Sequence, residues 1–142
     1  MDKILISGPS ELLPKFMHED DAGCDLRASS PGEIQPGKRQ LVNTGVHIEL
    51  PIGYAAFVHP RSGLALKHGI TVLNSPGTID AGYRGELGVI LYNTGDETFI
   101  YQRGDRIAQL VFQKIEQPAF EVVVGLNDTT RGSGGFGSTG VL

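Results

Sequence analysis

The chain has 142 residues, enough for one domain that buries a core without disulfide or metal staples and too few for a second. A net charge of -4 excludes a general grip on nucleic-acid backbone, so any phosphate must be met by a local group of cations. One cysteine, Cys24, excludes an intramolecular disulfide, and no CxxC or HExxH spacing is present. Met1 to Ile6 is followed at once by Ser7-Gly8-Pro9, which breaks any signal-peptide core or membrane span there. A cytoplasmic protein without membrane or direct nucleic-acid partners is expected.

Glycine at 20 of 142 positions is about twice the ~7% of average proteins, so turns are frequent and the elements between them short. Apolar positions never hold an i, i+3, i+4, i+7 spacing for long, whereas short β-rich runs recur. The fold class is therefore all-β, as a sandwich, jelly roll or barrel. In chain order the expected strands are Cys24 to Ala28, Gln40 to Val42, Val46 to Leu50, Tyr54 to Val58, Leu87 to Tyr92, Thr98 to Tyr101, Ile107 to Ile115 and Phe120 to Val124. The Pro51-Ile52-Gly53 turn predicts that Val46 to Leu50 and Tyr54 to Val58 pair as a hairpin. Gly63 to His68, bounded by Gly69, is the one helical prospect and needs tertiary support at that length. The strand pattern fails from Leu126, so the expected organisation is a β domain over 1–126 and a Gly-rich segment over 127–142.

Five clusters carry candidate chemistry, each with a plainer reading beside it. In Asp21-Ala22-Gly23-Cys24-Asp25-Leu26, Asp25 is either an ordinary strand-edge acid or a group that acts near phosphate. Pro60-Arg61-Ser62-Gly63-Leu64-Ala65 sets a guanidinium, a hydroxyl and an unobstructed N–H in succession, which is either an anion site or a helix start capped by Ser62. The stretch from Val72 to Glu86 brackets Asp80 and Tyr83 with two Gly-containing turns and predicts a hairpin with exposed backbone. Asp80 there is a general base or a turn cap, and Tyr83 a platform for a sugar or a packing ring. In Arg103-Gly104-Asp105-Arg106-Ile107-Ala108-Gln109-Leu110-Val111-Phe112, Gln109 needs partners inside an apolar run, from a ligand or from a neighbouring strand. Asp105 and Arg106 need be no more than a turn and an ion pair. Arg131 to Gly140 adds one Arg and one Phe to a glycine-rich run, the residue types of a nucleotide lid or a solvated terminus.

In this order the five clusters resemble the five motifs of the trimeric dUTPase family, enzymes that hydrolyse dUTP to dUMP and pyrophosphate. The matching stretches are DAGCDL at 21–26, PRSGLA at 60–65, GTIDAGYRGE at 77–86, RGDRIAQLVF at 103–112 and RGSGGFGSTG at 131–140. The resemblance implies a jelly-roll subunit and a homotrimer whose active sites each draw on more than one chain. It implies that Asp80 positions and deprotonates the water attacking the α-phosphorus, and that Tyr83 packs on the deoxyribose and excludes a 2′-hydroxyl. Asn74, with backbone around Thr78, Ile79 and Gly88, would read uracil. Arg61, Ser62, Gly63 and Gln109 would hold the phosphates, and Asp25 would hold Mg2+ through water. Arg131 would close on the phosphates while Phe136 stacks on the base, with Gly137 and Ser138 adding γ-phosphate contacts. Such an enzyme limits uracil incorporation into DNA and supplies dUMP for dTMP synthesis. Two departures are Cys24, where many relatives carry a larger side chain, and Ala81-Gly82, where many have an acid before the Tyr. The alternatives are a dCTP deaminase of the related fold, against which GTIDAGYRGE and the complete tail argue, and a catalytically silent nucleotide-binding protein.

Overall fold

The computed structural model describes residues 2–141. Its strands, in chain order, are β1 Leu5–Ser7, β2 Cys24–Arg27, β3 Gly32–Ile34, β4 Arg39–Asn43, β5 His47–Glu49, β6 Tyr54–His59, β7 Ile70–Val72, β8 Gly77–Ile79, β9 Gly88–Asn93, β10 Phe99–Tyr101 and β11 Arg106–Lys114. The helix α1, Ser62–His68, lies between β6 and β7, and a 3-10 turn covers Ser10–Leu12. Every strand pairing is antiparallel.

The larger sheet runs in the order β2-β11-β6-β8 and the smaller in the order β4-β9-β7, with the pairs β1-β5 and β3-β10 alongside. Alternation places the apolar side chains of both sheets in one shared core. Leu26, Val58 and Leu110 enter it from the larger sheet, and Val42, Ile70, Val89 and Leu91 from the smaller. This is the expected all-β sandwich of jelly-roll type. The helix ends where the sequence predicted, because Gly69 takes the left-handed conformation at φ 68° and sends its N–H back to Ala65 O.

Two buried polar residues fix loops rather than bind anything. Asn93 Nδ2 donates to Ile34 O at 2.9 Å and Glu97 O at 2.8 Å, while its Oδ1 accepts from Gly95 N. Thr44 Oγ1 donates to Leu87 O at 2.7 Å, and Leu87 N donates to Val46 O at 2.8 Å. The second set anchors the entry to β9.

The expected Val46 to Val58 hairpin does not form. β5 pairs with β1, while β6 pairs on one edge with β11 and on the other with β8. The six-residue register from Gln109↔His59 to Lys114↔Tyr54 outcompetes any ladder that three-residue β5 could offer. Pro51 to Tyr54 is instead a corner between sheets, with Tyr54 N bonded to Pro51 O and Gly53 at φ 95°. The expected strand Phe120 to Val124 is also absent. Its side chains stand in solvent, Phe120 at 96% and Val122 at 99%, and without a partner edge β-rich composition makes no strand.

Candidate active site

The Val72 to Gly88 stretch also departs from the hairpin expected of it. β8 adds to β6 as the outer strand of the larger sheet, whereas β9 belongs to the smaller one. The two strands part and leave a slot between them. β7 lines the other edge of β9 only from Asn93 to Leu91, with Leu73 N reaching Ile90 O, so the start of β9 faces the slot. A pocket of about 190 Å³ occupies it, walled by Gly77, Thr78 and Ile79 on one side and Gly88, Val89 and Ile90 on the other. Asn74, Asp80 and Tyr83 stand around it, and Val58, Val72 and Leu87 give it an apolar floor. An apolar slot flanked by strand edges suits a flat heterocycle whose polar rim meets backbone N–H and C=O groups.

Asp80, Asn74, Thr78, Ile79, Tyr83 and Gly88 are thus brought to one place. The Asp80–Tyr83 segment is a turn closed by Tyr83 N donating to Asp80 O at 3.1 Å. The Tyr83 hydroxyl donates to Glu86 O at 2.8 Å, and the ring packs over Gly85 while it lines the pocket.

A second group gathers where β2, β11 and β6 lie side by side. Gln109 is in register with Asp25 on one neighbour and His59 on the other. Arg61 Nε and Arg106 Nη1 each stand 3.5 Å from an Asp25 oxygen. Arg61 Nη1 donates to Arg106 O at 3.0 Å, and Gln109 Nε2 to Pro60 O at 3.2 Å. Gln109 therefore has the structural partner that the plainer reading required, at one of its polar atoms. Arg106 serves as the expected ion pair, and Asp105 as the expected turn residue through Gln102 N at 2.8 Å. Next to Asp25, burial, followed by that carboxylate's charge, pushes the Cys24 thiol up to about 11.

Ser62 does not cap α1. Arg61 holds the N-cap position in extended conformation, and no side chain bonds into the first turn. Ala65 N is the first to find an intrahelical acceptor, Arg61 O, so the N–H groups of Ser62 and Gly63 point out of the helix without one. A Cβ on Gly63 would meet nothing, so the approach to these groups is open.

The third group belongs to the C-terminal segment. Arg131 Nε donates to Gly134 O at 2.6 Å, Ser138 N to Gly135 O at 3.0 Å, and Phe136 is wholly in solvent at φ 50°. Among the described residues, the hydrogen bonds of Arg131, Gly137 and Ser138 run only within their own segment.

Register gives the spacing between the first two groups. Ile79 pairs with Ala56, so Asp80 falls level with Ala55, four residues from the His59 row that holds Asp25. That is about 13 Å along the strand and, across three strands from β8 to β2, about 14 Å more, or about 20 Å in all. The resemblance implied sites drawn from more than one chain, but which residues fall on which side was not legible, because order along the chain carries no register. Sequence reasoning missed the pocket floor, which only the pairing of distant strands reveals.

A family model described as dUTPase matches residues 11–140. The deoxyuridine 5'-triphosphate nucleotidohydrolase of Gloeothece citriformis is 58% identical over 130 residues, 92% of this chain and 90% of that protein. Among solved structures, the Staphylococcus bacteriophage 80alpha dUTPase with dUPNHPP superposes with a TM-score of 0.91 at 26% identity, covering 99% of this chain and 100% of that one. A variant dUTPase of phage phi11 of S. aureus, described with a structural Mg(II) ion, shares the fold at a TM-score of 0.82 and 23% identity over 89% of this chain and 100% of its own.

Proposed function

The chain belongs to the dUTPase family, and on that premise we propose that it hydrolyses dUTP to dUMP and pyrophosphate. The observation that carries the reading is the slot between β8 and β9 with a carboxylate and a tyrosine ring at its mouth. Uracil would enter edge-on, read by Asn74 and by backbone at Thr78, Ile79 and Gly88. The Tyr83 ring would lie under the deoxyribose, and Asp80 would take the proton of the water that attacks the α-phosphorus. No covalent intermediate is needed, because phosphoryl transfer depends chiefly on positioning and on charge stabilisation.

Arg61, the N–H groups at Ser62 and Gly63, and Gln109 are assigned to the phosphates. Asp25 suits a magnesium ion held through water. Its two arginine contacts are long at 3.5 Å, and no cluster of three or more metal-ligating side chains occurs among the described residues. A single carboxylate beside phosphate oxygens fits an ion that keeps much of its hydration and fits no all-protein cage. When bound, the ion would neutralise charge on the triphosphate.

A triphosphate cannot bridge about 20 Å. Asp80 and the Asp25–Arg61–Gln109 group would therefore serve one substrate only when supplied by different copies of the chain, as a homotrimer would do. The bare apolar side chains of Phe120, Val122 and Val124 fit such an assembly, since exposed apolar surface of this kind marks contact with another chain. The body over 1–126 would form the trimer. Residues 127–142 would be a lid, with Arg131 closing on phosphate, Phe136 stacking on uracil, and Gly137 and Ser138 reaching the γ-phosphate. The dUMP formed would serve dTMP synthesis and keep uracil out of DNA. No described helix is long and apolar enough to cross a membrane, and we place the enzyme in the cytoplasm. Loss of pyrophosphate release in Asp80→Asn with nucleotide binding retained is the direct test.

A further inference from the structure

Arg84 does not line the slot, yet it gathers four polar contacts. Its Nη1 donates to Ala81 O at 2.6 Å and to Tyr83 O at 3.2 Å, and its Nε lies 3.3 Å from Glu49 Oε1. Its own carbonyl accepts from His47 Nδ1 at 2.9 Å. A carbonyl only accepts, so Nδ1 is the protonated nitrogen of that ring. Glu49 and His47 both lie on β5, which is tied to β1 and takes no part in the slot. The side chain and the main chain of one residue thus fasten the Asp80–Tyr83 turn to a strand outside the pocket.

The turn has little else to hold it. Its one internal backbone bond is Tyr83 N to Asp80 O. Bridging Ala81 O and Tyr83 O holds the 81–82 and 83–84 peptide planes, and together with the Tyr83 N to Asp80 O bond, which holds the 80–81 plane, this sets how the turn presents Asp80 and Tyr83. Tyr83 is held from its other end as well. Its ring lies so close over Gly85 that a Cβ there would collide with the hydroxyl and the ring. Arg84 and Glu49 side chains are each about half exposed, so their ion pair adds little to stability as such. What the fork supplies is geometry, which a lysine with its single point charge would not reproduce.

We propose that Arg84, anchored on Glu49 and His47, is a positioning residue that holds the Asp80–Tyr83 turn in its reactive shape before substrate arrives. The catalytic part rests on the pocket being the dUTP site. Misplacement of reacting groups by about 1 Å can cost about 10²-fold in rate. Arg84→Ala is expected to lower kcat about tenfold or more, and to narrow the preference for dUTP over UTP several-fold because the sugar platform is loosened. Glu49→Gln should move the same two quantities in the same direction by less. Arg84→Lys should keep the contact with Glu49 yet fail to restore the sugar preference.

Two measurements decide it on full-length protein. Backbone hydrogen exchange over residues 80–86 in the absence of nucleotide should quicken in Arg84→Ala, and steady-state turnover of dUTP and UTP should show the losses above. Unchanged exchange overturns the brace, and faster exchange with an unaltered dUTP preference and kcat overturns its role in positioning. Full recovery by Arg84→Lys would overturn the fork argument. If the unsubstituted protein releases no pyrophosphate from dUTP, the functional reading fails, while the exchange measurement still decides whether Arg84 braces the turn.

Discussion

Asp80→Asn and Arg61→Ala chains, each nearly inactive alone, are expected to regain activity when assembled together. Asp80 lies about 20 Å from the Asp25–Arg61 group of its own chain, by strand rise and strand spacing. A site that uses both must take them from two copies. In a trimer that contains both kinds of chain, one interface in three joins an intact Asp80 to a neighbour's intact Arg61, so about a third of the sites are whole. Arg61 makes one backbone bond, to Arg106 O, and a long contact with Asp25, so its removal should leave the fold in place. Co-expression with two affinity tags isolates mixed assemblies, and pyrophosphate release from dUTP measures their activity. Recovery to about a third of the unsubstituted rate is the expected result. Mixed assemblies no more active than either parent would refute the divided site, as would failure of the two chains to co-purify.

Asp80→Asn alone should lower kcat by roughly 10²-fold or more, as removal of a general base does, with nucleotide affinity retained in a direct binding titration. An unchanged kcat would take the base role from Asp80. Deletion of residues 131–142 should leave oligomeric state and thermal midpoint intact but impair turnover, since the described side chains of 131–141 lie largely in solvent and their hydrogen bonds are local. Phe136→Ala within the full chain should weaken binding or closure by about 1–3 kcal/mol, read from dUTP kinetics, if the ring stacks on the base. Cys24, with its thiol pushed up to about 11 chiefly by burial, should be about 0.1% thiolate at pH 8 and resist iodoacetamide until the protein unfolds. Rapid alkylation of the folded protein would contradict that environment.

Residue chemistry at turns was legible in the sequence, and pairing was not. Gly69 announced the end of α1, and β9 and β11 were plain as β-rich runs between turns, because caps and composition are local properties. β1, β3, β7 and β8 each have three residues, too few for any period to show. The hairpin at Pro51 looked sound locally and lost to β11, a partner more than fifty residues away. Phe120 to Val124 has strand composition without an edge to join. Asp80, Tyr83 and Asn74 were recognisable as a group because they lie close in sequence. That Gly88 completes the opposite wall depended on β8 and β9 entering different sheets, and Glu49 under Arg84 is thirty-five positions distant. Which residues fall on which side of a site shared between chains appears only once register is known.

Pyrophosphate release from dUTP, dCTP, dTTP and UTP, with Mg2+ present and then chelated, separates a dUTP diphosphatase from its alternatives. Fast release is expected from dUTP alone, with Tyr83 excluding UTP, the narrow slot excluding dTTP, and chelation slowing the reaction. Ammonia released from dCTP, or dUTP bound without any pyrophosphate appearing, would contradict it.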